Sequence, residues 1–163
     1  MSVLIYTDSS NGALTKNAFE AANYGGQLAK AAGTDAIAIV AGSASGLEEL
    51  GNYGISKVLH VADTELDNFD PQKIAHVVAA AASETGADTI VFTHDYSGKS
   101  VAPRLSAKLD AGLVTGAIAL PNGNVVKKAV FSGKAFAEIE ITTAIKIISV
   151  LPNSLDKVET GGS

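Results

Sequence analysis

DPQKIAHVVAAAASETGADTIVFT, Asp70 to Thr93, joins a capped helix to a strand with almost no spacer. Asp70 followed by Pro71 has the grammar of an N-cap and a first helical position. A short acceptor meets the free N–H groups, and a residue with preset φ and no N–H comes next. Ile74, Val77, Val78 and Ala81 then fall at i, i+3, i+4 and i+7, one face of a helix, and Gly86 supplies the stop. Thr89–Thr93 is short and almost continuously apolar, as in a strand buried on both faces of a parallel sheet.

The same grammar runs through the first two thirds of the chain. Val3–Tyr6, Ala36–Ala41 and Lys57–Ala62 are further strand runs of the buried kind. Lys16–Ala32 sets Ala18, Ala21, Ala22, Leu28 and Ala29 near helical spacing and stops at Gly33. Gly46–Gly54 is expected as a short, interrupted helix. A third helix is placed from about Ser100 to Asp110, burying Val101, Leu105 and Leu109. Pro103 confines its start, since proline suits the first turn, where an N–H would have no partner. Repeated strand–helix units predict an α/β fold: a doubly wound, mainly parallel sheet with helices on both faces.

After Gly112 the grammar changes. Leu113–Leu120, Val125–Phe131, Ala135–Thr142 and Ile145–Leu151 succeed one another across short turns, with Pro121-Asn122-Gly123-Asn124 the strongest turn signal. A C-terminal antiparallel extension at the sheet edge is expected. Asn153–Ser163 is polar, ends in Gly161-Gly162-Ser163 and has the composition of a linker.

Composition bounds the chemistry. The 163 residues are 47% hydrophobic and 18% charged, and they include no cysteine. That length suits one domain with a core of its own. Without cysteine there is no disulfide scaffold, thiolate metal site or cysteine nucleophile. The net charge of −5 and the scattered 12 Lys and Arg leave no cationic stripe for nucleic acid. No apolar run is long enough to insert in a membrane, and no basic leader precedes Val3, so a cytoplasmic location is expected.

Thr93–Ser100, THDYSGKS, is the most suggestive string, because it joins a strand to a helix. Gly98-Lys99-Ser100 partly matches a phosphate-binding loop, yet Thr93 stands where that loop needs its first glycine. His94, Ser97, Gly98, Lys99 and Ser100 are the candidates for an anion or nucleotide site, since ligands of open α/β sheets gather at such loops. The plain alternative is a polar turn in which Ser97 or Ser100 caps the helix. Thr7–Gly12 and Gly42–Gly46 are comparable loops whose Gly and Ser content equally suits plain turns. His60 is expected as a hydrogen-bonded sheet residue and His76 on the solvent side of its helix. A catalytic triad built on His94 and Asp95 lacks a nucleophile elbow. No catalytic or metal-binding residue is assigned.

The block Gly86–Thr93, then Gly98-Lys99-Ser100-Val101-Ala102-Pro103-Arg104-Leu105 and Gly112-Leu113-Val114-Thr115, resembles the N-terminal domain of the electron transfer flavoprotein α subunit. Phe131–Ala137, Ile148–Asn153, Leu50–Val58 and the opening Val3–Tyr6 extend the likeness across nearly the whole chain. The resemblance implies an adenine-nucleotide hydrolase-like fold over residues 1–152, with 153–163 beginning a linker and the FAD-binding domain absent from this sequence. It further implies a heterodimer with a β subunit that holds one FAD and, in the β subunit, AMP. By the same resemblance, electrons pass from flavin dehydrogenases, such as the acyl-CoA dehydrogenases of fatty acid β-oxidation, to a quinone oxidoreductase. This chain would then be a non-enzymatic part of a carrier, with no cofactor expected on it alone. The alternative is a stand-alone module that binds AMP or ATP.

Overall fold

A computed structural model of the chain describes residues 1–159, so Gly161-Gly162-Ser163 lies outside the described residues. β1 (Ser2–Tyr6) opens the chain as an inner strand of an eight-stranded sheet. Two short strands, β2 (Ser9–Ser10) and β3 (Gly12–Leu14), follow it and lead into α1 (Lys16–Ala32). β4 (Asp35–Ala41) lies parallel to β1, and after it come β5 (Ala44–Ser45) and a 3₁₀ helix, Leu47–Tyr53. β6 (Lys57–Val61) pairs parallel with β4 and forms the edge of the sheet. α2 (Pro71–Thr85) then returns the chain to β7 (Thr89–Thr93), which pairs parallel with β1 on its other side.

The local signals in Asp70–Thr93 act as written. The Asp70 carboxylate accepts from the N–H groups of Gln72 and Lys73, Pro71 follows at once, and Gly86 closes the helix with φ 63°. Ile74, Val78 and Ala81 are buried, while Val77 is only partly covered and His76 faces solvent. α1 ends at Gly33 in the left-handed region, and the interrupted helix ends at Gly54. Gly26 lets α1 lie close to that 3₁₀ helix, because a Cβ there would come within 1.8 Å of the Tyr53 carbonyl oxygen.

Two halves of the core lie on opposite faces of the sheet. Leu4, Ile39, Ile90, Phe92 and Ile147 pack beneath α2 and α3 (Tyr96–Leu109). Val3, Ile5, Val40, Val91 and Ile148 pack beneath α1 and the 3₁₀ helix. Alternate residues of β1 therefore serve different layers, and this explains the unbroken apolar run. β6 departs from the expectation of burial on both faces. As an edge strand it keeps Lys57, His60 and Val61 exposed, and His60 Nε2 lies 2.8 Å from the Gly42 carbonyl oxygen.

The region after Gly112 needs a correction in one strand. β8 (Gly112–Ala117), β9 (Val125–Val130) and β10 (Ala135–Glu140) extend the sheet, with β9 antiparallel to both neighbours. β11 (Lys146–Val150) does not join that extension. It inserts between β7 and β8, parallel to both, and gives the order β10-β9-β8-β11-β7-β1-β4-β6. Ile147, Ile148 and Val150 are buried there, as an inner strand requires. β2, β3 and β5, from the two loops whose composition equally suited a ligand loop or a plain turn, form a separate three-stranded sheet. Among the described residues, no helix is long and apolar enough to cross a membrane.

The segment after Val150 has no apolar period, yet it is not free of the domain. Asn23 Nδ2 donates to the Asp156 carbonyl, and Asn23 Oδ1 accepts from the Val158 N–H. Leu155 packs on the α1 side of the core. Buried Asn23, with Gln27 Nε2 donating to the same Asp156 carbonyl, thus holds this stretch against α1.

Candidate functional site

From β1 the chain winds outward through β4 and β6, then crosses back to β7 on the opposite side of β1. The sheet therefore has its switch point between β1 and β7, and the crevice outside their carboxyl ends is where such folds bind ligands. Tyr6-Thr7-Asp8 enters it from β1, and His94-Asp95-Tyr96-Ser97 enters it from β7.

Helix α3 starts a turn earlier than the sequence suggests. Its N-cap is Asp95, not Ser97 or Ser100: Asp95 Oδ1 accepts from the Gly98 N–H at 2.9 Å. Asp95 Oδ2 accepts from Asn17 Nδ2 at 2.8 Å, and Thr93 Oγ1 donates to the Asn17 carbonyl at 2.7 Å. Asn17 thereby ties the first turn of α1 to the end of β7. With this start, Pro103 falls inside the helix rather than in its first turn. It removes the N–H that would have met the Lys99 carbonyl.

Gly98 has a packing role. A Cβ at this position would meet the Thr93 carbonyl oxygen at 1.8 Å, so only glycine lets the helix begin so close to the strand. The Gly-Lys-Ser string consequently forms a helical turn in place of a phosphate cradle. Its residues diverge. Ser97 is buried and donates to Asp8 Oδ2 at 3.0 Å, Lys99 faces solvent, and Ser100 Oγ donates back to the Tyr96 carbonyl. His94 turns toward β11, where its Nδ1 lies 3.0 Å from Ser149 Oγ. Ser149 is 1% exposed and also accepts from the Gly116 N–H, so it offers no accessible nucleophile. The five candidates do not converge on one ligand.

Electrostatics separates the two sides of the switch point. Burial raises the Asp8 carboxyl above its ordinary range, and the Asp95 charge adds to the rise; hydrogen bonds from Ser97 and Tyr6 pull the other way. The Tyr6 hydroxyl, 3.2 Å from Asp8 Oδ1, is pushed far up by burial and then by the Asp8 charge. Asp67 closes the far wall, accepting from the Ser43 N–H and hydroxyl, and these bonds hold its carboxyl below the usual range. On the other side, burial lowers the His94 imidazole, and the charges of Lys99 and Lys128 lower it further.

The crevice beside Tyr6 is lined by Asp8, Asp67, serine hydroxyls and the tilted Phe69–Tyr96 pair, with no Lys or Arg among the described residues that line it. A phosphate placed there would face carboxylates with no cation to compensate them. These residues do not fit the anionic end of AMP, ATP or FAD. Sequence reasoning passed over Asp8, Asn17 and Ser149 as site residues. Asn17 meets Asp95 across 78 positions and Asp8 meets Ser97 across 89, so only the fold reveals either pairing.

Comparison with known proteins adds a separate line of evidence. Residues 3–163 match the family described as the electron transfer flavoprotein domain. The electron transfer flavoprotein subunit alpha of Bacillus subtilis is 31% identical over 115 residues, covering 69% of this chain and 35% of that protein. Its counterpart from Syntrophomonas wolfei is 28% identical over 166 residues, covering 98% of this chain and 50% of that protein. The one from Pseudomonas aeruginosa is 25% identical over 166 residues, covering 99% and 52%. The chain thus spans between about a third and a half of the length of these relatives.

Proposed function

Because this chain belongs to the electron transfer flavoprotein domain family, we propose that it is a non-catalytic scaffold within an electron-carrying flavoprotein. The observation that carries the reading is the chemistry of the switch-point crevice. Asp8 and Asp67 line it without a compensating cation, and the groups nearest to catalytic ones, His94 and Ser149, are bonded to each other and aimed elsewhere. A site built in this way neither holds a dinucleotide phosphate nor activates a nucleophile.

In this proposal residues 1–152 form the N-terminal α/β domain of an α-type subunit, and the stretch from Asn153 begins the link to a second domain. FAD lies on that second domain, AMP lies in a β subunit, and the two subunits form a heterodimer. The assembled carrier, itself cytoplasmic, takes electrons from flavin dehydrogenases, including acyl-CoA dehydrogenases, and gives them to a membrane quinone oxidoreductase. Bound FAD supplies the redox chemistry. This chain contributes rigid support and a surface for the partner.

The reading is tested by producing the longer polypeptide with its β subunit and, separately, residues 1–163 alone. The two-subunit protein is expected to purify with FAD and to be reduced by a flavin dehydrogenase. Reduction failing in the flavin-loaded complex would contradict the carrier role. Calorimetric titration of residues 1–163 with AMP and ATP separates the stand-alone nucleotide module: heat of specific binding, lost in Lys99→Ala, would favour that module instead.

A further inference from the structure

We propose that β6, the edge of the sheet beyond β4, pairs with β6 of a second copy of this chain, antiparallel across a two-fold axis, and so joins two sheets into one. The inference goes beyond the reading above and does not depend on it.

The backbone is open at this edge. β6 ends the eight-stranded sheet, and the Val61 carbonyl accepts from the Gly42 N–H on the β4 side. Backbone groups of alternate residues turn to alternate sides of a strand, so Lys57, Leu59 and Val61 address β4. The N–H and C=O groups of Val58 and His60 point the other way, where no strand lies beside them. Such an edge templates the addition of another strand unless something blunts it. β6 has no proline and keeps an unbroken register with β4, so only the charge of Lys57 guards it.

Side chains follow the same alternation. Leu59 packs on the core beneath α2, and Val58 on the core beneath α1. Lys57, Leu59, Val61 and Asp63, whose backbone is still extended, therefore share the α2 face. On that face a groove of about 430 Å³ runs between β6 and α2, with Leu59, Val61, Val77 and Ala80 in its lining. Val61 is 37% exposed, an apolar rim with nothing over it among the described residues.

Charge names the occupant. Lys57 is in no ion pair among the described residues, and Asp63 accepts from the Glu65 N–H through Oδ1. Antiparallel pairing about Leu59 sets Lys57 diagonal to Asp63 of the second copy; pairing about His60 sets the two directly opposite. Either register makes the attractive pair twice, once on each side of the axis, and sets Leu59 against Leu59 or Val61. A partner strand of one sign would satisfy Lys57 or Asp63 and repel the other, whereas a two-fold contact requires a patch that complements itself. The net charge of −5 opposes the approach of two copies. At about 0.1 M salt, however, charges more than roughly 10 Å apart are largely screened, while pairs across one strand spacing keep their attraction.

The test follows the chain by sedimentation across a hundredfold range of concentration, with amide exchange measured at both ends of the range. A monomer–dimer equilibrium is expected, and the Val58 and His60 amides should gain protection as the dimer fills. Lys57→Glu and Asp63→Lys each turn two attractive pairs into two repulsive ones, so each should weaken the dimer at least tenfold without altering the circular dichroism spectrum. An equimolar mixture of the two variants should recover the dimer, because each reversed charge then meets the other. A chain that stays monomeric at every concentration would overturn the proposal. So would a dimer that neither reversal weakens, a mixture that fails to recover, or protection that appears elsewhere and not at Val58 and His60.

Discussion

Gly98 is the position where a single carbon decides whether the site can form. A methyl group there would need the Thr93 carbonyl oxygen to move, because the ideal Cβ lies 1.8 Å from it and backbone cannot yield cheaply. Gly98→Ala is therefore expected to lose about 1–3 kcal/mol of stability, the usual cost of overpacking, seen as a lower urea midpoint. An unchanged midpoint would mean that the close approach is not required. Asp8 has the opposite expectation. Its carboxyl titrates above the ordinary value, so the folded state holds its proton more tightly than the unfolded chain does. Stability from this group is lost as pH rises from below the ordinary carboxylate range through the raised value. Asp8→Asn should thus stabilise the protein near neutral pH, with the gain shrinking in acid, as read from urea midpoints at both pH values. His94 shifts the other way, and its imidazole should titrate below 6.5 when followed by proton NMR.

At the scale of elements, α3 shows which signals stay local. Asp95→Ala removes both the cap on Gly98 and the bond from Asn17, so a loss of about 1–2 kcal/mol is expected in denaturant. Pro103 is exposed within the same helix, and Pro103→Ala restores an N–H to the Lys99 carbonyl; the melting temperature should rise. The caps at Asp70, Gly33 and Gly86 were legible because each depends on residues within a few positions of itself. The start of α3 was not, because the proline cue pointed to a first turn while Asp95 had already made one. The edge status of β6 and the insertion of β11 were equally hidden. Both follow from sheet order, which apolar runs do not encode when inner and edge strands share a composition.

Across the whole molecule, the legible part was the alternation of strand and helix and the long likeness along the chain. The illegible part was the sign of the crevice. Asp8, Asp67 and Asp95 are dispersed in sequence and are brought to one end of the sheet by three different connections. Their gathering leaves that end of the sheet with carboxyl groups and, among the described lining residues of the crevice, no Lys or Arg. The same sheet ends in an uncovered hairpin. The most direct test is to equilibrate residues 1–163 with excess FAD, separate free flavin by gel filtration, and record the absorption of the protein fraction. The account predicts no flavin band; a stoichiometric band that survives the column would contradict it.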